Sequence, residues 1–245
     1  MIERKVSMGL TIAAFACFNS QVGVAAVAEQ CLLEPYKTVN LGTPVRGVLS
    51  ETLVERGHVV KIGDVLARID SRAQQSTVAL AESRSEFAKR TVERNKELIE
   101  DDLLSTQDRD QMATEAELAR LELEQAKTSV DMRNIRSPVN GVVVQGVRTT
   151  GEFVDESEIY VLAQINPLNV EVVVPVAFFG QITEGMEATV TPEAPLDQPY
   201  TARVVIVDKV IDAASGTFRV RLELPNEDLK LPAGLRCDLI FPFEQ

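Results

Sequence analysis

The chain reads as mostly β, with an α-helical hairpin inserted into a split β domain and a second β domain after it. Three observations predict this. A short strand-and-turn text occurs twice: Pro44-Val45-Arg46-Gly47-Val48 returns as Pro138-Val139-Asn140-Gly141-Val142, at an offset of 94 residues. Gly57, Val60 and Val65 return at the same offset as Gly151, Val154 and Ile159. Residues 70–134, between the copies, contain no Pro and no Gly and are dense in charge, which reads as helix. Residues 166–245 break into short apolar or alternating runs separated by turn residues, the pattern of a small antiparallel barrel.

The elements follow in order. Residues 1–28 read as a secretory signal peptide: Arg4 and Lys5 are the charged start, Val6 to Phe18 the apolar stretch, and Ala26-Val27-Ala28 the cleavage triplet. Cleavage is expected between Ala28 and Glu29. A competing reading makes Cys17 a lipid-anchor cysteine. Residues 29–69 hold a short lead-in and the first strand-rich half, with turns at Gly57 and Gly63, residues that reach φ > 0 without strain.

Residues 70–134 form the hairpin. Asp70-Ser71 offers a cap for a helix from about Arg72 to Ile99, Asp101-Asp102 is the break, and a second helix runs from about Thr106 to Met132. The second helix carries a seam of Met112, Ala116, Ala119, Leu123, Ala126 and Val130, at coiled-coil spacing. The first has a weaker seam through Thr77, Leu80, Ala81, Phe87, Thr91 and Leu98, interrupted by Arg84. The short connection makes the helices antiparallel neighbours. Residues 135–165 are the second strand-rich half, with Val142 expected in its core. Asn166-Pro167 marks the boundary to the barrel, residues 166–245.

Composition excludes several function classes. A formal charge of −12 argues against nucleic acid and against a basic membrane-surface role. The single histidine, His58, lies in a Gly-His turn, which gives no catalytic set. No CxxC, HExxH or phosphate-loop pattern occurs, and the methionines are scattered, so neither cofactor nor metal is expected and the protein reads as a non-enzyme. With the leader removed, Cys31 and Cys237 remain, an even pair and a disulfide candidate in an oxidising compartment.

The halves resemble the half-motifs of lipoyl/biotinyl domains. The first reads Gly47-x-Leu49 and Gly57-x-x-Val60-x-x-Gly63-Asp64-x-Leu66-x-x-Ile69-Asp70; the second reads Ile135-x-Ser137-Pro138-x-Asn140-Gly141-x-Val143. In carriers a tight hairpin bearing the modified lysine joins them. Here helices take that place, Lys89, Lys96 and Lys127 lie in no carrier-like context, and the lipoyl-like Asp208-Lys209-Val210 falls in the later strands. A split lipoyl domain, a helical hairpin and a barrel behind a signal peptide resemble the HlyD-like membrane fusion protein family, periplasmic adaptor subunits of bacterial efflux pumps. INPLNVEVVVP at 165–175 and DAASGTFRVRLELPNEDLKLPAGL at 212–235 add to the match. Many efflux adaptors continue into a membrane-proximal domain, whereas this sequence stops at Gln245.

The resemblance implies a location in the Gram-negative periplasm, an inner-membrane transporter of RND or ABC type, a TolC-type outer-membrane channel, and self-association into a ring. It also implies a docking site. Adaptors for TolC-type channels resemble one another in an Arg-x₃-Leu-x₆-Ser pattern at the hairpin turn, which here falls on Arg94, Leu98 and Ser105. Two alternatives belong to other classes: an exported biotinyl/lipoyl-type carrier, and a coiled-coil structural protein of the envelope.

Overall fold

The structure, a computed structural model, describes residues 25–155 and 158–243. Most of the expected leader, including Arg4, Lys5 and Cys17, lies outside the described residues.

The repeat is a structural pseudo-symmetry. Strands β2 (Gly47–Thr52), β3 (Val59–Val60) and β4 (Val65–Ile69) form the first half. Strands β5 (Asn134–Arg136), β6 (Gly141–Gly146) and β7 (Phe153–Val154) form the second. Each half donates a strand to the other: Val60 pairs with Gly141, and Val154 with Gly47. Gly57 N–H donates to the Val143 carbonyl and Gly151 N–H to the Leu49 carbonyl, both at 2.8 Å. Both glycines have positive φ, near 90°. The turn ahead of each copy repeats too. Thr43 Oγ1 donates to the Val45 carbonyl at 2.7 Å, and Ser137 Oγ to the Val139 carbonyl at 2.6 Å. Gly47 and Gly141 are required by close approach. A Cβ on Gly141 would lie 2.3 Å from the Ala163 carbonyl oxygen, and one on Gly47 would lie 2.5 Å from Ile69 Cγ2. The core between the halves holds Leu49, Leu66, Ile69, Val143, Ile159, Tyr160 and Leu162. Strand parity corrects one expectation: Val143, 1% exposed, takes the core position expected for Val142, which is half-buried.

Two long strands carry the chain from this domain into the barrel. Strand β1 (Ala25–Gly42) and strand β8 (Glu158–Pro175) each run 18 residues. The residues expected to be a short lead-in are thus most of a long strand. β8 passes through Asn166-Pro167 without interruption. β1 and β8 pair antiparallel from Cys31 opposite Val172 to Gly42 opposite Glu158, with an irregularity between Pro35 and Lys37.

Strands β9 (Glu187–Pro192), β10 (Tyr200–Val207), β11 (Thr217–Leu224) and β12 (Arg236–Phe243) complete the second domain. The order β1-β12-β9-β10-β11-β8 closes on itself through the β1–β8 pairing. In β11 the alternation is plain: Phe218, Val220, Leu222 and Leu224 are buried while Arg219 and Glu223 point out. Cys31 and Cys237 are directly opposed in the β1–β12 register, with a Cα–Cα distance of 4.8 Å, and are joined by a disulfide.

Buried Asn226 locks the β11–β12 connection. Its Nδ2 donates to the Ile165 and Leu231 carbonyls, each at 2.9 Å, and its Oδ1 accepts the Leu231 N–H at 3.1 Å. Its own N–H donates to Asn166 Oδ1 at 3.0 Å.

Gly141→Ala is expected to destabilise the split domain by about 1–3 kcal/mol or more, because a Cβ there meets backbone that cannot rotate away. A thermal or urea unfolding curve of the purified chain checks this; an unchanged midpoint would refute the close-approach argument.

Candidate functional site

The hairpin leaves the split domain from neighbouring strands, since Arg68 of β4 pairs with Asn134 of β5. Helix α1 spans Arg72–Arg94, a short helix α2 Lys96–Glu100, and helix α3 Thr106–Asp131. At ~1.5 Å per residue, α1 is about 35 Å long and α3 about 39 Å. The base is fastened by two arginines. Arg133 Nη1 donates to the Asp70 carbonyl at 3.0 Å, and Arg72 Nη2 donates to Asp70 Oδ2 at 2.6 Å. The expected cap is only partly realised: Asp70 Oδ1 accepts the Arg72 N–H, while Ser71 Oγ accepts from the Gln75 side chain and makes no cap bond.

The α3 seam falls where its spacing placed it. Met112, Ala116, Ala119, Leu123 and Val130 are half-buried and Ala126 is buried. The α1 seam does so only in part: Ala81 is buried and Thr91 half-buried. The inward row is Gln74, Val78, Ala81, Ser85, Ala88, Val92, Asn95 and Ile99. Thr77, Leu80, Phe87 and Leu98 point outward, Phe87 at 62% exposure. In the middle of α1 the contact uses the small residues Ala81, Ser85 and Ala88, so Leu80 and Phe87, one position away, are left outside. Arg84, the interruption, reaches across the outer face to Glu122 at 3.6 Å.

All three expected tip residues lie at the distal end. Arg94 ends α1, exposed, where a cation meets the negative end of the helix dipole. Leu98 lies in α2 at 41% exposure. Ser105 caps α3: its Oγ accepts the Asp108 N–H at 3.1 Å and donates to Asp108 Oδ2 at 2.6 Å, so one hydroxyl serves both the backbone and the side chain of Asp108. α1 breaks from α2 at Asn95, whose Nδ2 takes the Thr91 carbonyl at 2.7 Å. Two features of the tip escape the spacing pattern. Leu103 is the more exposed leucine there, at 68%. Asp102 has φ 54° and accepts from Arg109 Nη1 at 2.8 Å.

Elsewhere the chemistry is sparse. His58 Nδ1 accepts the Glu55 N–H at 3.1 Å within its own turn. Lys209 lies in the connection between β10 and β11, outside the split domain. Among the described residues no group of three or more His, Cys, Asp or Glu could hold a metal, and no helix is long and apolar enough to cross a membrane.

A split β-sandwich with an inserted helical lever, followed by a closed β-barrel, defines an adaptor-type architecture. The model of the CzcB-like barrel-sandwich hybrid domain matches residues 37–164, and that of the CusB-like β-barrel domain matches 168–241. The chain belongs to the membrane fusion protein family. It is 24% identical over 240 residues to the toluene efflux pump periplasmic linker protein TtgD of Pseudomonas putida, covering 88% of this chain and 63% of that one. A Haemophilus influenzae protein of uncharacterized function is 24% identical over 217 residues, covering 87% of this chain and 57% of that protein. The chain thus spans 57% to 63% of the length of these curated relatives. A MacA–MexA chimera containing the Pseudomonas aeruginosa MexA α-hairpin domain shares the fold, with a TM-score of 0.74 at 20% identity over 91% of this chain and 83% of that one. MacA from Actinobacillus actinomycetemcomitans does so with a TM-score of 0.57 at 19% identity, over 90% and 79%.

The hairpin base has a titration signature. The Arg72 side-chain hydrogen bond, then the Arg72 N–H, hold the Asp70 carboxyl down at about 2, from an ordinary 3.8. Because the folded value is the lower one, the contribution of this pair is present above about pH 4 and is lost as pH falls through about 2. Amide exchange in the first turn of α1 should therefore rise across that window in the native chain. In Asp70→Asn it should already be raised at neutral pH and show no such step; an identical acid profile in both proteins would refute the assignment.

Proposed function

We propose that this chain is a non-enzymatic periplasmic adaptor that bridges an inner-membrane exporter to a TolC-type outer-membrane channel. The observation that carries the reading is the hairpin: an inserted lever of about 35–39 Å whose distal end gathers Arg94, Leu98 and Ser105. Arg94 would give charge-assisted hydrogen bonds to carbonyls or carboxylates of the channel. Leu98, turned off the seam and exposed, is free to fill an apolar hole between channel helices. Ser105 holds the first turn of α3 and keeps the apex narrow. Self-association into a ring is supported by the outer flank of the hairpin, where Leu80, Phe87 and Leu118 are exposed. The carrier alternative lacks a lysine where such a domain presents one, since helices occupy that position.

Arg94→Asp and Leu98→Ser should each reduce export sharply in cells lacking the native copy while leaving periplasmic abundance normal, because exposed tip residues change stability by only about 0.5 kcal/mol. Val143→Asp, in the core, should lose the protein itself. Normal export by both tip variants at normal abundance would refute tip docking.

Export through the inner membrane is the companion proposal. Periplasmic material should begin at Glu29, which shortens β1 by Ala25–Ala28 and keeps its whole pairing with β8, and Cys31 should be recovered linked to Cys237 in a non-reduced digest. The bridge closes a long loop, for which chain-entropy models give about 4–5 kcal/mol and real bridges often less. A lipidated Cys17 in the membrane fraction, or two alkylatable thiols in freshly isolated protein, would overturn the respective parts.

A further inference from the structure

The connection after α2 has the hydrogen bonds of a Schellman cap. Leu103 N–H donates to the Leu98 carbonyl at 2.9 Å, and Asp102 N–H to the Ile99 carbonyl at 3.3 Å. In that motif the residue between them adopts the left-handed conformation, and the two outer residues commonly bring apolar side chains together. The left-handed position is normally glycine. Here it is Asp102, at φ 54°, where a side chain is disfavoured. The compensation is visible. Arg109 Nη1 donates to Asp102 Oδ1 at 2.8 Å and Nη2 to Thr106 Oγ1 at 3.4 Å. Arg109 is half-buried, one turn beyond Met112 at the distal end of the α3 inward row, so its reach is restricted.

We propose that the docking element is a two-leucine knob, Leu98 with Leu103, and that Arg109 is the positioning residue that holds it by bracing Asp102 in the left-handed conformation. This rests on the tip-docking reading and goes beyond its three residues. The occupant is the outer-membrane channel of that reading. From Arg94 to Asp110 the tip carries six carboxylates and three cations, so the complementary surface is an apolar notch whose rim is mostly basic or donor groups, with acceptors opposite Arg94. Arg109 does not touch the channel. It is already engaged with Asp102, and its effect passes through the backbone at Asp102 to the aim of Leu103.

The test uses the full chain and the TolC-type channel of the same bacterium in nanodiscs, with affinity, unfolding midpoint and tip amide exchange as readouts. Arg109→Ala should weaken binding about tenfold and speed exchange at the Leu103 amide, with the global midpoint unchanged. Asp102→Gly alone should bind within about twofold of the native chain, the loss of one exposed carboxylate of six being a small change. The double variant Asp102→Gly/Arg109→Ala should regain affinity to within about twofold and restore protection, because glycine needs no brace. Leu103→Ser should bind as poorly as Leu98→Ser. If the glycine does not rescue Arg109→Ala, Arg109 contacts the channel itself and the positioning role is wrong. If Leu103→Ser binds normally, the knob is wrong. If Arg94→Asp and Leu98→Ser bind normally, the docking reading fails with it; the brace is then decided by exchange alone, and an unchanged Leu103 rate in Arg109→Ala overturns it.

Discussion

Everything in the molecule hangs on one ladder, the pairing of β1 with β8. Each strand is 18 residues long and contributes to both β domains, so there is no linker between the bodies. The relative placement of barrel and split domain is set by backbone hydrogen bonds on both strands. The ladder is irregular at only a few points, among them Pro35 to Lys37, where a local change of twist lets one ribbon serve two differently curved sheets. Polar groups freed at this crossing are taken up by asparagines. Asn169 Nδ2 reaches the Pro35 and Tyr36 carbonyls, and Asn226 Nδ2 takes the Ile165 carbonyl. Buried backbone groups without such partners would weaken the junction.

The internal repeat then fixes where the lever starts. The two halves exchange strands through paired contacts, Gly57 with Val143 and Gly151 with Leu49, and this brings β4 beside β5. A helix leaving β4 and another entering β5 must therefore run antiparallel and adjacent. The sequence between them removes every Gly and Pro, so the inserted segment has no interior hinge except at Asn95 near the tip. Stiffness comes from connectivity and composition together, and the Asp70, Arg72 and Arg133 contacts transmit it to the β domain.

What the sequence made legible follows from how each element is encoded. The repeated halves were readable because close approach demands Gly47 and Gly141 and the turns demand Gly57 and Gly151, and those residues recur at one offset. The α3 row was readable because its apolar residues coincide with its contact positions. The α1 row was read correctly only at Ala81 and Thr91, because contact there also uses Ser85 and Ala88 while Leu80 and Phe87 lie one position aside. Periodicity weighted by side-chain size follows the wrong face. β1 was missed because its first part pairs with β12 and its later part with β8; a strand shared in this way between two cores loses simple alternation and tolerates Pro35 at an irregularity. The spacing pattern put Arg94, Leu98 and Ser105 at the turn, where the structure has them, but the left-handed residue between them was hidden because aspartate stands where glycine usually signals it.

The two domains and the lever differ in where they keep apolar surface, and that difference bears on function. The barrel and the split domain bury Val, Leu and Phe in closed cores. In the described helices only Ala81 and Ala126 are buried, and Leu80, Phe87, Leu98, Leu103, Leu118 and Leu121 are exposed. The ion pairs on the helix surfaces, such as Arg120 with Glu117, are exposed and each worth only about 0–1 kcal/mol. A hairpin held by so thin a seam takes its order from the domain at its base and from whatever packs on its outside. Filling the seam with larger residues would make the lever more stable alone, but it would move the helices apart and turn apolar side chains inward. A seam that uses Ala81, Ser85 and Ala88 at its middle is the arrangement that leaves those side chains on the outside.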